Sequence, residues 1–269
     1  HEAQSALVAS HQLRHDRLEV MTIGTQICLS SFHAISATNK KDIAKAIASP
    51  ARSQEDRERD LRDKPQLVLE FAEFNKGMVI ADVFGGSGYY SEILSGVVGN
   101  KGKVLLINNQ PYDDYSKKGL NVRLANNRLA NVQYSIVPNE NLGLASNSLD
   151  GALIIMSYHD LFYADPEGGW PAVDNMQFMN QIIKALKPSA RLLIVDHSAK
   201  ENTEISDAKT LHRIDEQFVY RQLESQGLNW VGSMDELRNK DDDRSRSVFD
   251  PAIKGKTDRF VQVYQKPVE

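Results

Sequence analysis

Cysteine is almost missing from this chain. Cys28 is the only one in 269 residues, which excludes an internal disulfide and a cysteine-based zinc cluster. An excess of charge of either sign is missing as well. Lys and Arg number 32 against 36 Asp and Glu, giving a net charge of −4, so no chain-wide basic field points to nucleic acid as a partner. The densest charged stretch, Ser53–Lys64 (SQEDRERDLRDK), mixes both signs and reads as a solvated helix face. No run reaches the roughly 18 apolar residues of a spanning helix, so stable membrane insertion is not expected. Internal repeats and low-complexity tracts are absent too.

What is there fits one large globular domain with an appendage: 41% hydrophobic and 25% charged residues, on a chain long enough to bury a sizeable core. Residues 1–39 form an N-terminal extension. Arg14 and Arg17 precede the apolar Val20–Phe32, and the small residues Ala34, Ser36 and Ala37 follow. That is the order of a secretory leader, so a periplasmic or exported location is expected, with the cytoplasm as the alternative. Residues 40–75 carry helical spacing (Ile43, Ala44, Ile47, Ala48, then Leu67 to Phe74 beyond Pro65).

From Lys76 to the end, short apolar runs alternate with helix-like stretches. Strands are predicted at Met78–Phe84, Gly102–Asn109, Val132–Val137, Asp150–Ser157, Arg191–Asp196, Leu228–Met234 and Arg259–Lys266. Helices are predicted at Tyr89–Val98, Lys117–Ala130, Asp174–Leu186 and Ser206–Ser225. Such alternation implies βαβ crossovers. The expected fold is Rossmann-like α/β: a seven-stranded, mostly parallel sheet with helices on both faces, an antiparallel C-terminal strand and extra N-terminal helices, the domain spanning 76–269. The polar loop Arg238–Thr257 is long for an inter-strand connection, which marks it as functional or mobile.

The first strand runs into Phe84-Gly85-Gly86-Ser87-Gly88 and then a helix. Glycines at that place let the backbone turn sharply and let a ligand come close, beside the free N–H groups of a helix start. A P-loop would need Gly-Lys-Ser/Thr, which is absent. A dinucleotide loop, G-x-G-x-x-G, is met only with Ser91 in the third position, so a nicotinamide cofactor remains an alternative.

The segment "ADVFGGSG" resembles the first motif of class I S-adenosylmethionine-dependent methyltransferases, with Asp82 as the acid near the strand end and Gly86 and Gly88 as two of the loop glycines. Phe84 stands where that family has its first glycine. Pro138–Asp150 and Leu186–His197 resemble later motifs of the same family, and the resemblance covers about 76–267. The combination of "GGSGYYSE", "LHRIDE" and "VFDPAIKGKTDRF" also resembles a narrower group of bacterial predicted methyltransferases of unassigned function, many of them exported. The resemblance implies S-adenosylmethionine as cofactor, held by Asp82, Phe84, Gly85, Gly86, Gly88, Tyr89, Asn108, Asn109, Asn139 and Glu140. The family's ribose-binding acid is replaced by Asn108, and its adenine-contacting acid by Pro138.

Histidines and aspartates gather after the fourth and fifth strands, at Tyr158-His159-Asp160 and Asp196-His197, where ligands of such sheets bind. Methyl transfer needs an in-line nucleophile and, for a hydroxyl or amine, a base. His159 is the expected base, Asp160 its orienting or substrate-binding partner, and His197 the second choice. His159, Asp160, Asp196 and His197 are also metal-ligand types, but no metal is expected from sequence. His212 and Asp215 are expected to lock the Ser206–Ser225 helix to the sheet. The acceptor is expected to be a small molecule. A module that keeps the fold without catalysis is the alternative that the changes at Phe84, Asn108 and Pro138 suggest.

Overall fold

The computed structural model describes residues 39–268. The leader-like segment and Cys28 lie outside the described residues. Helix α1 covers residues 39–47, followed by α2 (Gln54–Asp63) and α3 (Pro65–Ala72). Seven strands and five further helices follow: β1 (Val79–Val83), α4 (Tyr89–Val98), β2 (Lys103–Asn108), α5 (Gln110–Leu124), β3 (Val132–Ile136), β4 (Leu149–Ile155), α6 (Asn175–Ala185), β5 (Leu186–His197), α7 (Ala208–Leu211), α8 (Glu216–Ser225), β6 (Asn229–Met234) and β7 (Arg259–Gln265).

The strands form one sheet in the order β3-β2-β1-β4-β5-β7-β6. β7 alone runs antiparallel, between β5 and β6; the β1 to β5 pairings are parallel. Both faces of the central strands are apolar, so β4 and the latter half of β5 read as near-continuous hydrophobic runs, while the edge strands β3 and β6 are partly exposed. Alternate residues serve opposite faces. Leu192 and Ile194 join the layer with Phe178 and Ile182 of α6 and Val219 and Leu223 of α8. Leu193 and Val195 join the opposite layer with Ile43 of α1, Val68 and Leu69 of α3, and Ile93 and Leu94 of α4. Segment 40–75 thus packs as a cover on one sheet face. A fully buried carboxylate ties it down: Asp63 accepts from Arg59 and Arg62 and, 2.7 Å away, from Arg259 at the start of β7.

Two predicted helices are corrected. α5 begins at Gln110 and not at Lys117. Pro111 sits in the first helical turn, where proline is tolerated because its missing N–H has no partner to lose, and the Asn109 side chain caps the helix by accepting from Tyr112 N at 3.0 Å. The single helix over Ser206–Ser225 is two. His212 adopts a left-handed conformation (φ 53°) after α7, Ile214 N donates to His197 O and Ile214 O accepts from Ala199 N, and Asp215 starts α8 as its cap. The break inserts one bridge beside β5.

Strand order reverses between β1 and β4. Their carboxyl ends therefore leave a crevice, and the chain leaves both strands by left-handed residues, Phe84 (φ 54°) after β1 and Met156 (φ 54°) after β4.

Candidate functional site

The glycine loop is set by what lies under it. A Cβ on Gly85 would sit 2.6 Å from the Asp82 carboxylate and 2.5 Å from Leu106, so only glycine lets the loop lie this close to β1 and β2. Asp82 itself points below the loop, fully buried, and accepts from Ser91 Oγ at 2.6 Å. Burial pushes its carboxyl up to about 6, against the lowering by the Ser91 bonds. Asn108 clasps the loop: its Oδ1 accepts from Gly86 N and its Nδ2 donates to Gly86 O, both at 3.0 Å.

A cavity of about 700 Å³ lies over this loop, within the size range of small-molecule sites. At one end it is lined by Phe84, Gly85, Gly86 and Ser87, by Tyr115, Ser116 and Gly119 of α5, and by Arg59 of α2. At the other end stand His159, Asp160, His197 and His212. Tyr112, Tyr163, Trp170, Val248 and Phe249 supply an apolar wall. Phe84 stacks flat on Tyr112, with ring centroids 4.5 Å apart, and tilts against Phe178. Its ring is therefore both core and pocket wall.

Of the residues expected at a cofactor, Phe84, Gly85 and Gly86 line the cavity. Asp82 lies beneath the loop, and Gly88 opens α4 in a left-handed conformation (φ 79°). Tyr89 turns to α2, where its hydroxyl donates to Asp60 and Arg59 lies over its ring. Asn109 donates to Asn139 at 3.0 Å, away from the cavity, and Glu140 is exposed.

The catalytic candidates do come together. His159 lies in a short 3-10 turn, His159–Phe162, directly after β4. Its Nδ1 donates to Asp196 Oδ1 at 2.8 Å, and its backbone N–H to Asp196 Oδ2 at 2.8 Å. Its Nε2 is 3.2 Å from Asp160 Oδ1. Tyr112 Oη donates to the other oxygen, Asp160 Oδ2. His197 Nδ1 is 2.7 Å from Thr257 Oγ1. Burial alone would lower the His159 imidazole, but the carboxylates of Asp196 and Asp160 outweigh it and hold the ring well above its ordinary value. For His197, burial and then the neighbouring His159 charge push it well below. Asp160, though buried, is held far below the usual carboxylate range by His159.

His212 is the residue whose role the sequence concealed. Read inside a helix, it belonged to a sheet-facing stripe. The break after α7 instead turns it to within 3.6 Å of Asp160 Oδ1, between the rings of Tyr163 and Phe249. Asp215 has the separate task of capping α8 and accepting from Asn202 N. Arg59, Tyr112 and Tyr115 were also missed, since each reaches the site across the fold from a stretch that reads as an ordinary polar helix or loop. The aromatic segment Tyr158–Pro171 divides: Tyr163 and Trp170 line the cavity, while Tyr158 and Leu161 are core. The long loop supplies Val248 and Phe249, and is anchored by fully buried Arg213, which bonds Arg246 O, Ser198 O and Asp242.

No protein-family model matches this chain, and no curated protein sequence matches it. Solved structures do. A SAM-dependent methyltransferase from Aquifex aeolicus is 20% identical over 84% of this chain and 97% of its own, with a TM-score of 0.53. The [4+2]-cyclase SpnF is 17% identical over 82% of this chain and 86% of its own, with a TM-score of 0.55. The YcgJ protein from Bacillus subtilis is 13% identical over 76% and 97%, with a TM-score of 0.51. These likenesses show the fold, the Rossmann-like sheet shared with methyltransferases. They do not carry the reaction, since function lives in sites placed on a fold and one of the three is a cyclase.

Proposed function

We propose that this chain is an S-adenosylmethionine-dependent methyltransferase acting on a small-molecule acceptor. The observation that carries the reading is one continuous cavity joining the Gly85–Ser87 backbone to the histidine cluster. The first end suits a cofactor and the second an acceptor, so a methyl carbon between them would lie in line with an incoming nucleophile. Arg59, at the glycine end, offers a guanidinium to the carboxylate of the methionine part. β7 lying antiparallel between β5 and β6 supports this reading over a nicotinamide oxidoreductase.

In this reading the methyl group passes from the sulfonium to an oxygen or nitrogen of the acceptor, S-adenosylhomocysteine leaves, and the acceptor's proton is taken by a base. The sequence favours His159 for that role. The geometry shifts our assignment to His197: both ring nitrogens of His159 already face carboxylates, whereas His197 uses Nδ1 on Thr257. The leader-like order of residues 1–39 adds export to the proposal, and N-terminal sequencing of protein secreted by an expressing cell tests it.

A second reading has one specific support. Asn108 is fully buried, bonds Gly86 through both its oxygen and its nitrogen, and does not line the cavity, so no charged group at that position faces a ribose, as in a module that keeps the fold and catalyses nothing or something else. Calorimetric titration with S-adenosylmethionine, S-adenosylhomocysteine and NAD separates the readings. Binding of the two sulfur nucleotides and not of NAD is expected. Failure of both to bind at millimolar concentration sinks the methyltransferase.

A further inference from the structure

We infer that His159, Asp160 and His212 form a binding site for one divalent transition-metal ion, zinc or a neighbour of similar softness, at the acceptor end of the cavity. Among the described residues these three each offer one ligand atom, all within 4.8 Å of one another. Nε2 of His159 and Oδ1 of Asp160 are 3.2 Å apart, and Nδ1 of His212 lies 3.6 Å from the same oxygen. Two ligands about 2.0–2.1 Å from a tetrahedral ion stand about 3.4 Å apart, so the two pairs that share Asp160 Oδ1 already stand close to the edge length of such a tetrahedron.

Each ligand is oriented by a partner behind it. Asp196, fully buried, takes the Nδ1 proton of His159, which leaves Nε2 as the nitrogen turned to Asp160. This carboxylate–histidine arrangement is the usual support of a metal-bound imidazole. The Tyr112 hydroxyl donates to Asp160 Oδ2 and so turns Oδ1 to the histidines. His212 is fixed by the rings of Tyr163 and Phe249 and by its left-handed backbone, a strained conformation that places the ring where a continuous helix would not. Charge points the same way. Two carboxylates, Asp160 and Asp196, stand on the two nitrogens of His159, and one divalent cation balances both. Two imidazoles and one carboxylate favour zinc, iron, cobalt or nickel over the oxygen-seeking magnesium, calcium and manganese.

Three protein ligands with a cavity on the remaining side is the form of a reactive site, since the open position takes a water or a substrate atom. In the methyl-transfer reading, on which this last step rests, that atom is the hydroxyl or amine of the acceptor. Coordination makes it more acidic and holds it toward the cofactor. The metal site itself does not depend on that reading. The set also differs from the one sequence suggests: Asp196 and His197 are not ligands, and His212 is.

The test is metal binding by the full chain, stripped with chelator and checked for native circular dichroism. Zinc titrated by calorimetry is expected to bind one to one and tightly, and cobalt to give visible d–d absorption that zinc abolishes. His212→Ala and Asp160→Asn are each expected to weaken binding by more than about 100-fold, because losing even a supporting residue costs about 10–100-fold. His212 lies partly exposed between two short elements, so its removal spares the core; Asp160→Asn keeps the shape of the side chain. Absence of zinc binding below about 100 µM would overturn the site, and so would tight binding that both variants leave unchanged, which would place the ion elsewhere on the chain. Zinc binding without binding of S-adenosylmethionine would remove the methyltransferase reading and leave this one standing.

Discussion

Asn108 holds Gly86 by both of its backbone groups, accepting from its N–H and donating to its carbonyl at 3.0 Å each. The amide is thus a clamp on the glycine loop, and a carboxylate in its place would keep one oxygen on the Gly86 N–H but turn the other, an acceptor, against the Gly86 carbonyl. Asn108→Asp is therefore expected to cost about 2–4 kcal/mol in chemical denaturation, the range for a buried group left without its partner. It is also expected to weaken binding of S-adenosylhomocysteine. A gain in affinity would show that position 108 serves a ribose directly and not through the loop.

Phe84 combines a left-handed backbone (φ 54°) with a buried ring. Glycine usually destabilises relative to alanine, but at a positive φ the order reverses. Both Phe84→Ala and Phe84→Gly lose the stack on Tyr112, a loss of about 3–5 kcal/mol for truncating a buried Phe. Phe84→Gly is expected to be the milder by about 1 kcal/mol. Urea unfolding midpoints of the two variants decide it; alanine at or above glycine contradicts the strain.

Burial pushes the Asp82 carboxyl up to about 6 in the folded chain, above the ordinary carboxylate range of about 4. A raised carboxylate pKa means the folded state holds the proton more firmly, so its contribution to stability falls as pH rises from about 4 to 6 and stays low above that. The loss is about 3 kcal/mol from a shift of this size. Asp82→Asn keeps an acceptor for Ser91 and lacks the titration. Relative to the wild type it is expected to gain about 2–3 kcal/mol between pH 4 and pH 7, read from urea unfolding at each pH. A difference that does not change with pH removes Asp82 as a titrating group.

Asp63 behaves in the opposite sense. Its carboxyl is desolvated, but Arg62, Arg59 and Arg259 outweigh burial and hold it below the usual range. Its stabilisation is present above the unfolded carboxylate pKa of about 4 and is lost as pH falls through the folded value. Asp63→Asn leaves Arg259 buried without its partner, at a cost of about 3–5 kcal/mol, and thermal melts at neutral pH are expected to show a large drop in Tm. A drop matching that of a surface substitution would dissolve the anchor between α2 and β7.

His197→Ala is expected to lower methyl transfer by about 10²–10⁴-fold, the range for removing a general base, while S-adenosylhomocysteine binds as before. Unchanged turnover would take His197 out of the proton step.

The sheet was legible because its strands are apolar on both faces: Leu192–Val195 and Gly151–Ile155 stand out without any alternation to interpret. α4 was legible for the same reason, with Tyr89 following the glycines and Gly99 closing it. The starts and breaks of polar helices were not. The polar stretch before Lys117 carries no apolar stripe to mark the start of α5 at Gln110, which concealed that Tyr112 faces the cavity. Nothing local marks His212 as left-handed; the break is stabilised by the pairing of Ile214 with β5, a contact between distant parts of the chain. The residues after β4 and β5 could be placed at the sheet edge from sequence, because the architecture fixes which ends meet. Which of their nitrogens and oxygens face one another could not, since that depends on Asp196 and Tyr112 in three dimensions.

The position of β7 has a consequence for synthesis. It is the last strand along the chain and yet an interior one, between β5 and β6, and Arg259 at its start reaches back across 196 residues to Asp63. A chain that has emerged as far as Met234 has every other described strand but leaves the apolar edge of β5 open and Asp63 without Arg259, the one partner that ties it to the sheet. Such an intermediate offers its edge to any passing strand. Completion of the fold therefore waits for residues 259–265, and a chaperone that shields a sheet edge would act in that interval.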